Sequence, residues 1–340
     1  MKILMVARDI APSRCFEMVK SSIPNENKVI SFLGHGKPIK EPIEHIMWQA
    51  KNSDIILLGM SSSIELSKEE RIVADCAIEE NVPYGFYADT YGVSKRAWFE
   101  KYRDNASFLF VVSENDAEEA KDLYPNAKIV ISGNPIRDGY FSLKHSRKDV
   151  RKILSIAYNE TMVLCPGGKD LVSNILHFGA VLETLHRISD RKFKVFFTLH
   201  PGDLNAPSMY SDLVEHSKIP VSLKTKEEIT SSNMISAADI VIDLGSDVGV
   251  EAACQRIPVI SYFSYVRLGE LMMSRGSGEL YLAKIGAALQ INGDSELLRT
   301  SIISLLFDFS KMREQQKKVF PVPQKKGAAV RKIIEKLLQK

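Results

Sequence analysis

Short apolar runs, each too continuous to leave one face to water, alternate with amphipathic stretches along nearly the whole chain. In the first half the runs are "KILMVA" (2–7), "KVISFL" (28–33), "DIILLGM" (54–60), "YGFYAD" (84–89), "FLFVVS" (108–113) and "KIVISG" (128–133). Helical periodicity falls between them, near 13–22, 41–52, 67–82, 94–104 and 114–123. Such runs suit strands covered on both faces, so the expectation is a mostly parallel sheet with helices on each side. Ser67, with Glu70 three residues on, has the capping-box pattern, and Ser113 can cap the helix that follows it.

After "GNPIRDGYF" (133–141) the alternation starts again. "TMVLCPGG" (161–168), "KVFFTLHPGD" (194–203), "VSLKT" (221–225), "DIVIDL" (239–244) and "PVISYF" (258–263) read as strands. Helical patterns lie near 170–187, 207–217, 230–238, 248–255, 295–307 and 327–338. The charged stretch 134–150, with Pro135 and Gly139, reads as a linker. A chain of 340 residues also exceeds the usual size of one hydrophobic core. The expected architecture is α/β, with two Rossmann-like doubly wound domains facing a central cleft, residues 1–140 and 141–320.

Charge and cysteine usage narrow the function. With 45 basic and 42 acidic side chains the net charge is +3, which does not point to nucleic acid. The basic residues Lys317, Lys318, Lys325, Lys326, Arg331 and Lys332 read as solvated helix faces. Cys15, Cys76, Cys165 and Cys254 form no C-x-x-C, which argues against zinc and disulfides and fits a reducing, cytoplasmic setting. "MKILMVARDIAPS" reads as a strand rather than a signal peptide, and no run approaches the roughly 20 apolar residues of a membrane span. "LGELMM" (268–273) reads as core packing, with peripheral contact to a lipid-linked acceptor as the alternative.

In open α/β sheets ligands lie beyond the carboxyl ends of the strands, where helix starts offer N–H groups and positive dipole ends. Three loops qualify in the second half. "CPGGKD" (165–170) has Gly167 and Gly168, which allow close backbone approach, and Lys169, which adds a cation. The alternative is a tight turn that needs glycine. "TLHPGD" (198–203) places His200 at a strand end. "SAADIVIDLGSDVGVEAACQRIPVISYF" (236–263) offers Ser246 and Asp247 as caps, Gly249 as a small residue where a ligand approaches, and Glu251 in the first helical turn. There the dipole favours the Glu251 charge whatever its function.

The last stretch resembles the nucleotide-sugar segment of GT-B fold glycosyltransferases and of the related non-hydrolysing UDP-N-acetylglucosamine 2-epimerases. The resemblance rests on Ala238-Asp239, Ser246, Glu251-Ala252 and Pro258, with Arg256-Ile257 where Gly-x is commoner. "VISGNPIRD" (130–138) is similar to the segment that ends the first domain in these proteins. "GAAVRKIIEKL" (327–337) resembles their last helix, which implies that 321–340 packs back toward the first domain. The resemblance implies a nucleotide-diphosphate sugar as substrate, UDP-linked before any other, with no further cofactor and no metal. Glu251 would hold the ribose. Ser246, Asp247 and Val248 would face the diphosphate, with Gly167 and Gly168 on its other side. No D-x-D motif occurs, and neither the "E-x-N-R"-like nor the "T-x-H-R-x-E-N"-like segment of the epimerases is present. Transfer of the sugar to an acceptor hydroxyl is therefore expected ahead of epimerisation, with a non-catalytic binding protein as the third reading. The base that transfer needs would come from a first-domain loop: Asp89, His35 in "LGHGKP", or Asp9.

Overall fold

Each of these apolar runs is a strand in the computed structural model, and the chain divides into two compact units, Met1–Gly139 with Pro323–Lys340, and Tyr140–Val322. The structure describes residues 1–339 apart from 142–144, 201, 204, 276, 277, 324 and 326, and leaves out the side chains of 270, 271 and 273–275. Pro201, Lys326, part of the 134–150 stretch and much of "LGELMM" therefore lie outside the described residues.

The first unit runs β1 (Lys2–Ala7), α1 (Ile10–Lys20), β2 (Lys28–Leu33), α2 (Ile43–Lys51), β3 (Ile55–Gly59), α3 (Lys68–Glu79), β4 (Tyr84–Tyr87), β5 (Phe108–Val111), α4 (Glu114–Lys121) and β6 (Lys128–Ile131). Its strands pair in parallel, in the order β2-β1-β3-β4-β5-β6. Alternate residues of β1 show why the run had to be apolar throughout. Ile3, Met5 and Ala7 pack with Phe16 and Val19 of α1, while Leu4 and Val6 pack on the other face with Ile46 of α2 and Val73 of α3.

The second unit runs α5 (Arg147–Ile153), β7 (Glu160–Pro166), α6 (Leu171–His186), β8 (Lys192–Thr198), α7 (Ser211–Glu215), β9 (Val221–Lys224), α8 (Ser231–Met234), β10 (Ile240–Asp243) and α9 (Asp247–Cys254). It continues through β11 (Val259–Phe263), α10 (Tyr265–Arg275), α11 (Tyr281–Lys284), β12 (Leu289–Asn292), α12 (Ser295–Phe307) and α13 (Ser310–Val319). This sheet is also parallel, in the order β12-β11-β10-β7-β8-β9. The last helix, α14 (Ala328–Leu338), belongs to the first unit. Val330, Ile333 and Leu337 complete the core around Ile3, Met5 and Phe16, and Asp138 accepts from Ala329 N–H at 3.1 Å.

Four local expectations need correction. Residues 94–104 form two 3-10 turns, Val93–Lys95 and Ala97–Tyr102, because Arg96 between them is extended (φ −54°, ψ 122°). Ser67 makes no side-chain cap bond and Glu70 turns away from it, so no capping box forms. β12 had no counterpart in the sequence reading, and α13 had one only in the helix face given to Lys317 and Lys318; β12 is an edge strand with Leu289 and Asn292 exposed, so its run is not continuously apolar. In α10, Leu268 packs against Leu244, Phe263 and Leu280, whereas Met272 is exposed. Ser113 caps α4 as expected, accepting from Asp116 N–H.

No helix among the described residues is long and apolar enough to cross a membrane. In each sheet the order reverses once, between β1 and β3 and between β7 and β10. Those switch points are where open sheets of this kind bind ligands.

Candidate functional site

At the second unit's switch point, β10 ends in the fully buried Asp243, whose carboxylate gathers the turn that follows. Oδ1 accepts from Gly245 N–H at 3.1 Å and from the Ser261 hydroxyl at 2.7 Å. Oδ2 accepts from Ser246 N–H at 2.9 Å and from the Ser246 hydroxyl at 3.1 Å. Burial raises the Asp243 pKa, and the hydrogen bonds from Ser261, Ser246 and Gly245 pull it back. Gly245 supplies the left-handed backbone (φ 74°) that the turn requires.

This turn revises several assignments. Ser246 is the N-cap of α9 by position but makes no side-chain cap bond, and its N–H and O–H both go to Asp243. Because α9 already begins at Asp247, Glu251 is its fifth residue, one turn in and not in the first turn. Glu251 is 5% exposed, and its Oε2 accepts from the Ser232 hydroxyl at 2.5 Å. A Cβ on Gly249 would lie 2.4 Å from Asp243 Oδ2, so the glycine makes room for that carboxylate rather than for a ligand. Asp247 is exposed and Val248 half-buried in the first turn.

On the other side of the switch point, Gly167 N–H extends the β7–β8 ladder to Thr198 O (2.9 Å), and Gly168 N–H donates to Asn174 Oδ1 (2.6 Å). Both glycine N–H groups are thus engaged within the protein. The buried Asn174 also donates to Gly168 O, Asp203 Oδ2 and the Tyr210 hydroxyl oxygen. Gly167 is glycine because a Cβ would lie 2.9 Å from Asn174 Oδ1, whereas Gly168 has room for one. The exposed Lys169 and the half-buried His200 flank Gly202, where an added Cβ would meet His200 Nδ1 at 3.2 Å and Lys169 Cε at 3.3 Å. Burial and then Lys169 lower the His200 pKa, while Asp203 raises it. Since Nδ1 accepts from Gly202 N–H at 2.9 Å, the neutral ring carries its proton on Nε2. The start of α8 joins the two sides: Ser231 Oγ lies 2.7 Å from Thr198 Oγ1, and the next residue, Ser232, holds Glu251. The sequence reading missed Asn174, Ser232 and Asp243; only the strand-terminal position of Asp243 signalled any of them.

In the first unit three loops converge on the buried Ser61. Its Oγ accepts from Asp9 N–H at 3.0 Å and donates to Glu70 Oε1 at 2.5 Å, and its carbonyl accepts from Trp98 Nε1–H at 3.1 Å. Arg96, two residues before Trp98, donates to the neighbouring Met60 carbonyl. Asp9 is the N-cap of α1; Oδ1 accepts from Ile10 N–H (2.8 Å) and Oδ2 from Ser62 N–H (3.1 Å). Burial lowers the Arg96 pKa, and the carboxylates of Asp89, Asp9 and Glu70 act against it. Asp89, 7% exposed, follows β4. Its carbonyl accepts from Asn134 Nδ2 at 2.6 Å, and Arg137 holds the same loop through Thr90 Oγ1 at 2.8 Å and over the Tyr91 ring. The segment "GNPIRD" thus anchors the Asp89 loop. His35 does not join this group; it takes φ 49° in the loop after β2 and pairs at the surface with Glu17 of α1, Nε2 to Oε1 3.1 Å. Ser61, Glu70 and Arg96 gave no signal as a site, because a buried polar network leaves no periodic trace.

No family model and no curated protein sequence matches the chain. Among solved structures the chain is similar to a UDP-GlcNAc 2-epimerase from Neisseria meningitidis bound to UDP-GlcNAc. That match has 14% identity and TM-score 0.67 and covers 100% of both chains. It is also similar to Anabaena Alr3699/HepE in complex with UDP-glucose (13% identity, TM-score 0.64, 99% of both chains). A third is the UDP-GlcNAc 2-epimerase of Methanocaldococcus jannaschii in complex with UDP-GlcNAc and UDP (13% identity, TM-score 0.58, covering 99% of this chain and 98% of that one). At these identities the likeness is one of fold: two Rossmann-like units in the GT-B arrangement of elements.

Proposed function

We propose that this chain is a UDP-sugar enzyme of GT-B type that transfers the sugar to an acceptor hydroxyl. The carrying observation is Glu251, a buried carboxylate at the second unit's switch point, oriented by the Ser232 hydroxyl. A carboxylate so placed can accept both ribose hydroxyls in bidentate fashion. The first-turn amides of α9 at Asp247 and Val248, with Lys169 and the neutral His200 opposite, supply the diphosphate's partners. Ser246 closes the turn on Asp243 and acts through backbone geometry rather than by donating its own hydroxyl. The full-length likeness to proteins solved with UDP-GlcNAc and UDP-glucose supports uracil as the base.

Transfer needs a base for the acceptor hydroxyl. Asp89 is assigned that role and Asp9 the second place, since both act on Arg96 at one ligand end. His35, paired with Glu17, is given none. The developing charge on the leaving diphosphate is met by the α9 dipole and Lys169. Epimerisation is the second reading, favoured by the match of the Neisseria enzyme over 100% of both chains.

Titration calorimetry with UDP, GDP and CDP tests the binding claim. Glu251→Ala is expected to weaken UDP binding by about 1–3 kcal/mol, the range for a lost hydrogen bond to a charged group. Unchanged affinity refutes the ribose role. Product analysis across UDP-sugars then separates the chemistries: UDP release that depends on acceptor marks transfer, a C2-inverted sugar nucleotide marks epimerisation, and neither outcome sinks both.

A further inference from the structure

The first unit contains a buried carboxyl that the proposed chemistry leaves unused. Glu70, the third residue of α3, is fully buried. Its Oε1 accepts from Arg8 N–H at 3.1 Å and from the Ser61 hydroxyl at 2.5 Å, whereas Oε2 is buried with no hydrogen-bond partner. A side chain that served only to tie loops together would be better satisfied at both oxygens, since an orphaned buried polar atom is costly.

The partner of Oε1 is the junction of the ligand end. The Ser61 hydroxyl accepts from the Asp9 amide and donates a hydrogen bond to Glu70, and the Ser61 carbonyl holds the Trp98 indole beside Arg96. We propose that Glu70 is a positioning residue: through the Ser61 hydroxyl it holds the loops that bear Asp9, Arg96 and Asp89 in the arrangement that deprotonates an acceptor hydroxyl. This rests on the transfer reading given above.

The charge state of Glu70 governs the strength of that hold. The charged groups that act on it are Arg8 after β1, whose N–H donates to it, Glu69 on its own helix, and Arg96 after β4. Arg8 is itself engaged with Glu69 at 3.5 Å and with Glu65 O at 2.9 Å. Because Ser61 donates to Oε1, a proton on the carboxyl resides on Oε2. Burial pushes the Glu70 pKa up to about 7, and the Ser61 and Arg8 hydrogen bonds pull it down. The ionised form makes the stronger Ser61 bond, so turnover is expected to rise with pH as Glu70 ionises.

The chain has two tryptophans, Trp48 and Trp98, and they supply a readout independent of activity. In the full chain, the Trp98 indole N–H resonance is expected to titrate near neutral pH in the wild type and to lose that titration in Glu70→Gln, with Trp48 as the control. In UDP-sugar turnover, Glu70→Gln is expected to abolish the acidic limb of the kcat profile and lower kcat at least tenfold above neutrality. KM and UDP affinity should stay within about twofold. Ser61→Ala, which removes the connecting hydroxyl and keeps Glu70, is expected to lower kcat similarly. A Trp98 resonance that does not titrate, or that titrates equally in Glu70→Gln, overturns the proposal whatever the activity. So does a wild-type kcat profile in the Gln variant, or an equal loss of kcat and UDP affinity. Absence of turnover by the wild type instead overturns the transfer reading and with it the catalytic part of this proposal; a Glu70-dependent titration of Trp98 would then remain as the coupling alone.

Discussion

Asp243 and Glu70 reorganise the candidate sites one residue at a time. Each is a carboxyl that burial makes expensive and that neighbouring N–H and O–H groups make tolerable. Asp243 explains Gly249, because a methyl there would lie 2.4 Å from its Oδ2. Gly249→Ala is therefore expected to destabilise the second unit by about 1–3 kcal/mol, the usual cost of overpacking. Gly168→Ala, whose added methyl would come no closer than 3.6 Å to Leu244 Cδ1, is expected to stay near wild-type stability in urea denaturation. Glu70 gives a pH signature. Its folded pKa of about 7 stands above the roughly 4.3 of an unfolded Glu. The stability it contributes is complete below about pH 4.3 and is lost as pH rises toward 7, on the order of 3 kcal/mol. Wild type is thus expected to lose more stability than Glu70→Gln between those pH values, measured by denaturant midpoints; parallel curves would contradict it. Glu251 and the loop glycines stood out in the sequence. Their partners Ser232, Asn174 and Asp243 did not, because they come from other elements.

Elements were legible wherever both faces are covered. The β1 run had to be apolar throughout because α1 and α14 lie on one face and α2 and α3 on the other. β12, half-exposed at an edge, lacks that run and passed unnoticed. The helix pattern over 94–104 failed because residues 97–102 wind as a 3-10 turn after an extended Arg96, which puts Arg96 and Trp98 at the ligand end. α14 shows how an element from the end of the sequence can complete a distant core. Ile333→Ala is expected to cost about 2–5 kcal/mol in the first unit, the range for truncating a buried isoleucine. Hydrogen exchange of the β1 and β3 amides would read it, and unchanged protection there would refute the packing role.

Across the whole molecule the chain holds two compact units, each with its own sheet and its own reversal of strand order. If UDP binds the second unit as proposed, its unfolding should be selectively resisted. At about 100 times Kd the gain is about 2.7 kcal/mol. Calorimetric scans are expected to show UDP raising a transition that Glu251→Ala uncouples from the ligand and Ile333→Ala leaves coupled. By itself the sequence determined the fold class, because strands buried on both faces demand unbroken apolar runs and helices demand their own period. It also singled out the strand-end loops proposed above to hold the ligand. What only the tertiary structure decided is which polar groups in those loops face outward and which are held by other parts of the chain. Ser246 and the two loop glycines direct their donors inward, the His35 ring pairs with Glu17 of α1, and Glu70 reaches Ser61 instead of its own helix cap. The physical reason is that hydrogen bonds between distant elements depend on distance in space. Local sequence carries propensity and periodicity, and neither records which buried carboxyl will meet which hydroxyl.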